Sequence, residues 1–236
     1  MPGPPMLTGD SVISRVREEM DTILLSFSCG KDSLATWLSV RGRFRRVVPF
    51  YMYHVPGLGF VERSLAYYER SLGAKIIRVA APWLVDWLNG CVFQPPERVP
   101  TIERADMARY TFEDVRRELC RDIGLPLDTW CAAGWKAADS MNRRTLIRQL
   151  SPIREKDRIF YPICDWRKAD VLAAIRAAGL KLPVDYRLWR RSFDGIHWAL
   201  LGPLREAFPE DYERILKWFP LAEMEFLRWR KRDRRR

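Results

Sequence analysis

Apolar and polar positions along this chain switch repeatedly between a helical and an extended period. Val12, Ile13 and Val16 share one face of a helix predicted over 10–20, and the run Ile23-Leu24-Leu25 that follows predicts a buried strand over 22–26. Leu34, Ala35, Trp37 and Leu38 restart the helical period at once. The apolar stretch 47–54 is a second strand, with Pro49 expected near its start because proline cannot donate to a ladder. A Pro/Gly loop over 55–60 leads to a helix over 61–72 stopped by Gly73, and 75–79 is a third strand. A short helix over 83–88 is followed by 89–105, where Pro95, Pro96 and Pro100 predict an irregular excursion suited to a lid or a wall. A helix over 111–123 ends at Gly124, strands follow at 128–133 and 158–163, and a helix over 166–178 ends at Gly179. From His197 to Trp229, Leu, Trp and Phe recur at helical spacing and predict one or two closing helices. Strand and helix in alternation define an α/β fold: a doubly wound, mainly parallel five-stranded sheet with helices on both faces, and a C-terminal helical extension. The expected domains are 1–195 and 196–236.

Composition narrows the class. With 236 residues, 47% of them hydrophobic, the chain can bury a core, and no apolar run is long enough to span a bilayer. Met1-Pro2-Gly3-Pro4-Pro5 lacks the basic and apolar parts of a signal peptide, so a cytoplasmic protein with no membrane partner is expected. The five cysteines (Cys29, Cys91, Cys120, Cys131, Cys164) are odd in number and never spaced as Cys-x-x-Cys, which argues against a disulfide framework or a zinc knuckle. Ligands of an iron–sulfur cluster need only meet in space, so that question passes to the fold. The formal net charge is +11, and part of the excess is local, in the end Arg228-Trp229-Arg230-Lys231-Arg232-Asp233-Arg234-Arg235-Arg236. Such a tail attracts phosphate polymers, so nucleic acid is an expected partner there, against the plainer reading of a solubilising helix end. The Trp and Phe positions from Trp198 to Trp229 read as core or as an interface stripe, the latter consistent with a homo-oligomer.

The candidate chemistry begins directly after the first strand, where residues 26–33 read Ser-Phe-Ser-Cys-Gly-Lys-Asp-Ser. A strand that ends in small and hydroxyl residues before a helix start aims free N–H groups, the helix dipole and Ser hydroxyls at one point. Gly30 lets the backbone approach a bulky anion and Lys31 adds a positive charge. The plainer alternative is a capped helix whose Ser and Asp satisfy its own N–H groups. A second basic segment, Gly134-Trp135-Lys136-Ala137-Ala138-Asp139-Ser140-Met141-Asn142-Arg143-Arg144, follows the fourth strand. In open parallel sheets ligands bind beyond the carboxyl ends of the strands, so the two segments are expected to share a crevice, with Lys136, Arg143 and Arg144 facing an anion. His54 ends the second strand at the same edge and is expected to touch a ligand or to hydrogen-bond a neighbour. Cys131 and Cys164 lie near that edge as well and read as packed thiols; Asp165 and Asp170 read as helix caps.

The order Ser26-x-Ser28-x-Gly30-Lys31-Asp32-Ser33 resembles the pyrophosphate loop of N-type ATP pyrophosphatases, with Cys29 where that family often has a second glycine. Gly134, Ser140 and Arg143 match the Gly-x-Arg-x-x-x-Ser-x-x-Arg pattern of the phosphoadenylyl-sulfate (PAPS) reductase family, with Lys136 in place of its Arg. The stretch from Tyr161-Pro162 to Asp165-Trp166 is similar to that family's Pro-x-x-Asp-Trp segment, so the resemblance covers about residues 20–190. It implies an adenine nucleotide, ATP or PAPS, held by Ser26, Ser28, Cys29, Gly30, Lys31, Asp32, Ser33, His54, Gly134, Ser140, Arg143 and Arg144. It also implies Lys31, Asp32, Lys136 and Arg143 as the catalytic set, with Asp32 toward Mg²⁺ and with Lys31, Lys136 and Arg143 offsetting negative charge in the transition state. Sulfonucleotide reduction needs a cysteine nucleophile, and no cysteine follows Cys164. The implied activity is therefore adenylation with pyrophosphate release, possible acceptors including nucleic acid for sulfur modification. The alternatives are a PAPS-type reduction by another thiol and a non-catalytic nucleotide sensor or DNA-binding accessory protein.

Overall fold

The computed structural model describes residues 7–233, with side chains described as far as Arg228; the end of the basic tail, Arg234 to Arg236, and the side chains from Trp229 onward lie outside the described residues. In chain order the elements are α1 (Gly9–Glu19), β1 (Thr22–Ser26), α2 (Lys31–Val40), β2 (Arg46–Tyr53), α3 (Gly59–Leu72), β3 (Ile77–Ala80), α4 (Pro82–Asn89), α5 (Val99–Ala105) and α6 (Phe112–Asp122). There follow β4 (Cys131–Ala132), α7 (Met141–Leu150), β5 (Ile153–Arg154), β6 (Ile159–Phe160), α8 (Lys168–Ala177), α9 (Asp185–Leu188), α10 (Trp198–Ala207), α11 (Pro209–Trp218) and α12 (Met224–Asp233). The fold is α/β, a mostly parallel six-stranded sheet in the order β3-β2-β1-β4-β6-β5 with helices around it. Among the described residues no helix is long and apolar enough to cross a membrane.

The strand order explains why two distant segments meet. From β1 the chain winds outward one way through β2 and β3, and later returns to place β4 on the free side of β1. Leu24 pairs with Cys131 and Leu25 with Ala132 in parallel register, so β1 and β4 end side by side at the topological switch point. The residues of β1 from Ile23 to Leu25 are fully buried, as expected of a strand covered on both faces. Pro49 sits inside β2 in register with Leu25, not at its start. A strand residue points its N–H and C=O to the same neighbour, and the Phe50 carbonyl accepts from Phe27 on the β1 side. Pro49 therefore faces the β3 side, where β3 begins only at Ile77, and its missing donor interrupts no ladder.

The chain divides into two compact units. The first comprises residues 1–52, 68–78 and 113–182, and the second 53–67, 79–112 and 183–236. In the first, α2 packs on α8, and the Gly9 N–H donates to Asp165 Oδ1 at 3.0 Å. Asp165 thus serves the start of α1, while Asp170 caps α8 by accepting from the Arg167 N–H at 2.7 Å. In the second, Asp211 accepts from the backbone N–H groups of Gly59 and Phe60 and so caps α3 from a distant part of the chain. Phe60 is ringed by Trp189, Phe193 and Phe208, and α10 packs on α11 and α12.

Three expectations need correction. The sheet has six strands because a two-residue strand, β5, runs antiparallel to β6, the turn between them passing through Arg158 at φ 51°. The stretch 89–105 is not wholly irregular: Pro96–Arg98 is a 3₁₀ turn and Pro100 falls in the first turn of α5, where proline loses no helical hydrogen bond. The closing segment holds three helices rather than one or two, because Pro209 starts a new helix after Phe208 and Pro220 opens a 3₁₀ turn before α12.

Candidate functional site

The site grows from the end of β1. Phe27 still pairs with the Phe50 carbonyl at 2.8 Å, and then the chain turns sharply. Cys29 adopts φ 59°, the left-handed region, although a side chain there costs roughly 1–2 kcal/mol relative to glycine. Burial of the thiol, 5% exposed, accompanies the turn. Gly30 is the N-cap of α2 at φ −74° and ψ 163°, and no side chain caps this helix. The contrast with α1, capped by Thr8, and α7, capped by Ser140, is informative: no side chain caps the start of α2, and Asp32 lies in its first turn. Ser33 Oγ donates to the Gly30 carbonyl at 2.9 Å, and Ser28 Oγ lies 3.4 Å from Ser33 Oγ and from the Gly30 nitrogen. Ser26, half-buried, closes β1 beneath them.

The segment after β4 lies directly on this turn. A Cβ at Gly134 would stand 2.9 Å from the Asp32 carbonyl carbon and 3.0 Å from its oxygen, so only glycine permits the approach. Lys136 is 1% exposed, and its Nζ is 2.6 Å from Asp32 Oδ1 and 2.7 Å from Asp139 Oδ1. Lys31 Nζ holds the other oxygen of Asp32 at 2.6 Å. Asp139 in turn accepts from Arg143 at 2.6 Å, and that guanidinium lies 4.9 Å over the Trp135 ring. Trp135 stacks on Tyr161 with centroids 5.4 Å apart and ring planes 6° from parallel. Burial raises the Asp139 carboxyl, but the bond and charge of Lys136 and then Arg143 outweigh it and hold the group below its ordinary value.

The candidate residues are thus distributed unevenly. Ser26, Ser28, Cys29, Gly30, Lys31, Asp32, Ser33, Gly134 and Lys136 come together, and Ser140 and Arg143 adjoin them through Asp139. Lys136 points inward to two carboxylates, Arg143 is paired, and Arg144 is exposed on α7. His54 belongs to the second unit. Its Nδ1 accepts from Trp83 Nε1 at 2.8 Å, it stacks on Trp87, and Phe193 meets it edge-on. Burial pushes it down to about 4 against a weak opposing pull from Asp194, so the ring is neutral at pH 7 with its proton on Nε2. Asp139, the link between Lys136 and Arg143, is absent from the residues the sequence singled out. Its signal was there, in the three- and four-residue spacings to those two cations.

The groups of the turn suit a phosphate: an uncapped helix start, two hydroxyls 3.4 Å apart and, on the adjoining Asp32, the Lys31 ammonium. A protein-held Mg²⁺ fits poorly, because both Asp32 oxygens already accept from ammonium groups. Among the described residues no three His, Cys, Asp or Glu are grouped to hold a metal, the scattered cysteines included. Cys131 and Cys164 are buried, and burial pushes both thiols up to about 12.

No protein-family model matches this chain, and no curated protein matches it. Among solved structures, it is similar to an NH3-dependent NAD synthetase from Campylobacter jejuni subsp. jejuni NCTC 11168 in complex with the nitrate ion, with a TM-score of 0.44 and 14% identity, over 93% of this chain and 92% of that chain.

Proposed function

We propose that this protein binds ATP on the Ser26–Ser33 turn and adenylates an acceptor, releasing pyrophosphate. The observation that carries this reading is the uncapped start of α2 at the switch point, flanked by Ser28, Ser33 and Lys31 and braced from β4 by Gly134 and Lys136. An acceptor oxygen attacks the α-phosphorus, the bond to the bridging oxygen of the β-phosphate breaks, and pyrophosphate leaves with that electron pair while the acceptor's proton passes to solvent. The α2 N–H groups and Lys31 offset the charge that grows on the leaving pyrophosphate; positioning and electrostatics supply the rate. Asp32 orients both lysines.

Reduction of a sulfonucleotide is the weaker reading: no cysteine follows Cys164, and burial pushes the Cys131 and Cys164 thiols up to about 12, where they present almost no thiolate at pH 7. The test is the position of cleavage. With α-labelled ATP the label is expected in the adenylated acceptor, and in AMP once a nucleophile or water displaces it, with unlabelled pyrophosphate released in equal amount; Lys31→Ala should weaken ATP binding tenfold or more, about 1.4 kcal/mol. ADP and phosphate as products, or no ATP binding by the unaltered chain, would end this reading.

A further inference from the structure

Helix α7 is the least covered helix of the first unit: only Ile147 is buried, Arg143 is half-buried, and the other residues are exposed. It carries Arg143, Arg144 and Arg148 and has no Asp or Glu. Arg143 is neutralised by Asp139, but Arg144 and Arg148 have neither an ion pair nor a side-chain hydrogen bond among the described residues. At four-residue spacing these two form one stripe, and Met141, 74% exposed, falls beside it on the helix surface. Leu146 and Leu150, 39% and 48% exposed, lie on the other flank of Ile147.

We infer that the exposed face of α7 docks a single-stranded nucleic acid. Two uncompensated guanidinium groups with no carboxylate between them complement a polyanion. A second copy of this chain does not fit, because a two-fold contact would set the same arginines against each other. A duplex presents phosphates and sugars and keeps its bases stacked inside, whereas a single strand offers an unstacked base to Met141 beside the arginine stripe. The helix opens directly from the segment that Gly134 and Lys136 hold against Asp32, so a strand lying along it leads to the phosphate turn. The role assigned to that strand, the acceptor of the adenylyl group, rests on the proposed function; the docking surface does not.

The experiment is fluorescence anisotropy of a labelled oligothymidylate with the full chain, without ATP, across about 0.05–0.2 M salt. Each arginine that leaves a phosphate should lower the log–log salt slope by about 0.7, so Arg144→Gln with Arg148→Gln should lower it by about 1.4 and weaken binding roughly twenty-fivefold at about 0.1 M salt. Met141→Ser should weaken binding severalfold with the slope unchanged. Wild-type slope and affinity in the double variant would overturn the inference. So would duplex DNA, polyglutamate or anionic vesicles competing as well as the unlabelled single strand. ATP binding by the unaltered chain is measured in parallel: its absence beside normal strand binding defeats the proposed function alone, and its presence beside an unaffected double variant defeats the docking surface alone.

Discussion

Replacing Lys136 by methionine keeps the buried volume and removes one charge, and so isolates what that charge does. Its side chain is 1% exposed, and the ammonium bridges Asp32 at 2.6 Å and Asp139 at 2.7 Å. Breaking a fully buried ion pair by deleting one partner costs about 3–5 kcal/mol. Here the carboxylates are 25% and 22% exposed and each keeps another cation, Lys31 or Arg143, so water and those partners absorb part of the loss. We expect about 2–3 kcal/mol at pH 7, a fall in Tm of about 4–12 °C for a chain of this size. The pH dependence follows from the sign of the Asp139 shift. Its carboxyl is held below the ordinary value, so its contribution to stability is present above the unfolded pKa and is lost as pH falls through the folded one. The gap between the unaltered chain and the variant should therefore be widest near neutrality and shrink below about pH 4. Calorimetry or urea melts across pH measure it, and Lys136→Met combined with Asp139→Asn should cost less than the sum of the two changes. Equal stability at pH 7, or a deficit that does not change with pH, would show that charge pairing is not what Lys136 provides.

Three further outcomes are expected. Gly134→Ala drives a Cβ against the Asp32 backbone at 2.9 Å, which cannot yield like a flexible side chain, and should cost about 1–3 kcal/mol and weaken ATP binding; an unchanged Tm and Kd would contradict the close approach. His54 is held down at about 4, below its unfolded value near 6.5, so its contribution of about 3 kcal/mol is present above that value and lost as pH falls toward 4. Stability of the His54→Phe chain should lack this slope, and an identical slope in both would refute the assignment. Cys131 and Cys164 should resist a thiol reagent at pH 8 until the chain is unfolded, and rapid labelling of either in the native protein would refute their burial.

Much of the fold was legible because its signals are local. The apolar run ending at Ser26 marked β1 to the residue, and Gly73, Gly124 and Gly179, each at positive φ, ended the helices they were expected to end. β5 was not legible, since two residues show no period and their pairing depends on β6 across a turn. α5 was hidden by prolines, which read as breakers yet stand where a first turn accepts them. For the candidate site, the turn 26–33 and the segment 134–144 stood out by residue type and order; of their side-chain partners, Asp139 was signalled by its spacing to Lys136 and Arg143, whereas the long-range pair of Lys136 with Asp32 was not. Arg143 read as a hand for an anion and is paired to Asp139; His54 read as an edge residue and is held by Trp83.

The sequence by itself determined the alternation of strand and helix, the hydroxyl-rich turn at a helix start and the excess of positive charge, because each depends on residues close together along the chain. Only the tertiary structure decided that β4 lies beside β1, and with it that Lys136 reaches Asp32 across 104 positions. The physical reason is that an ion pair follows distance in space, and strand order, which no local pattern encodes, sets that distance.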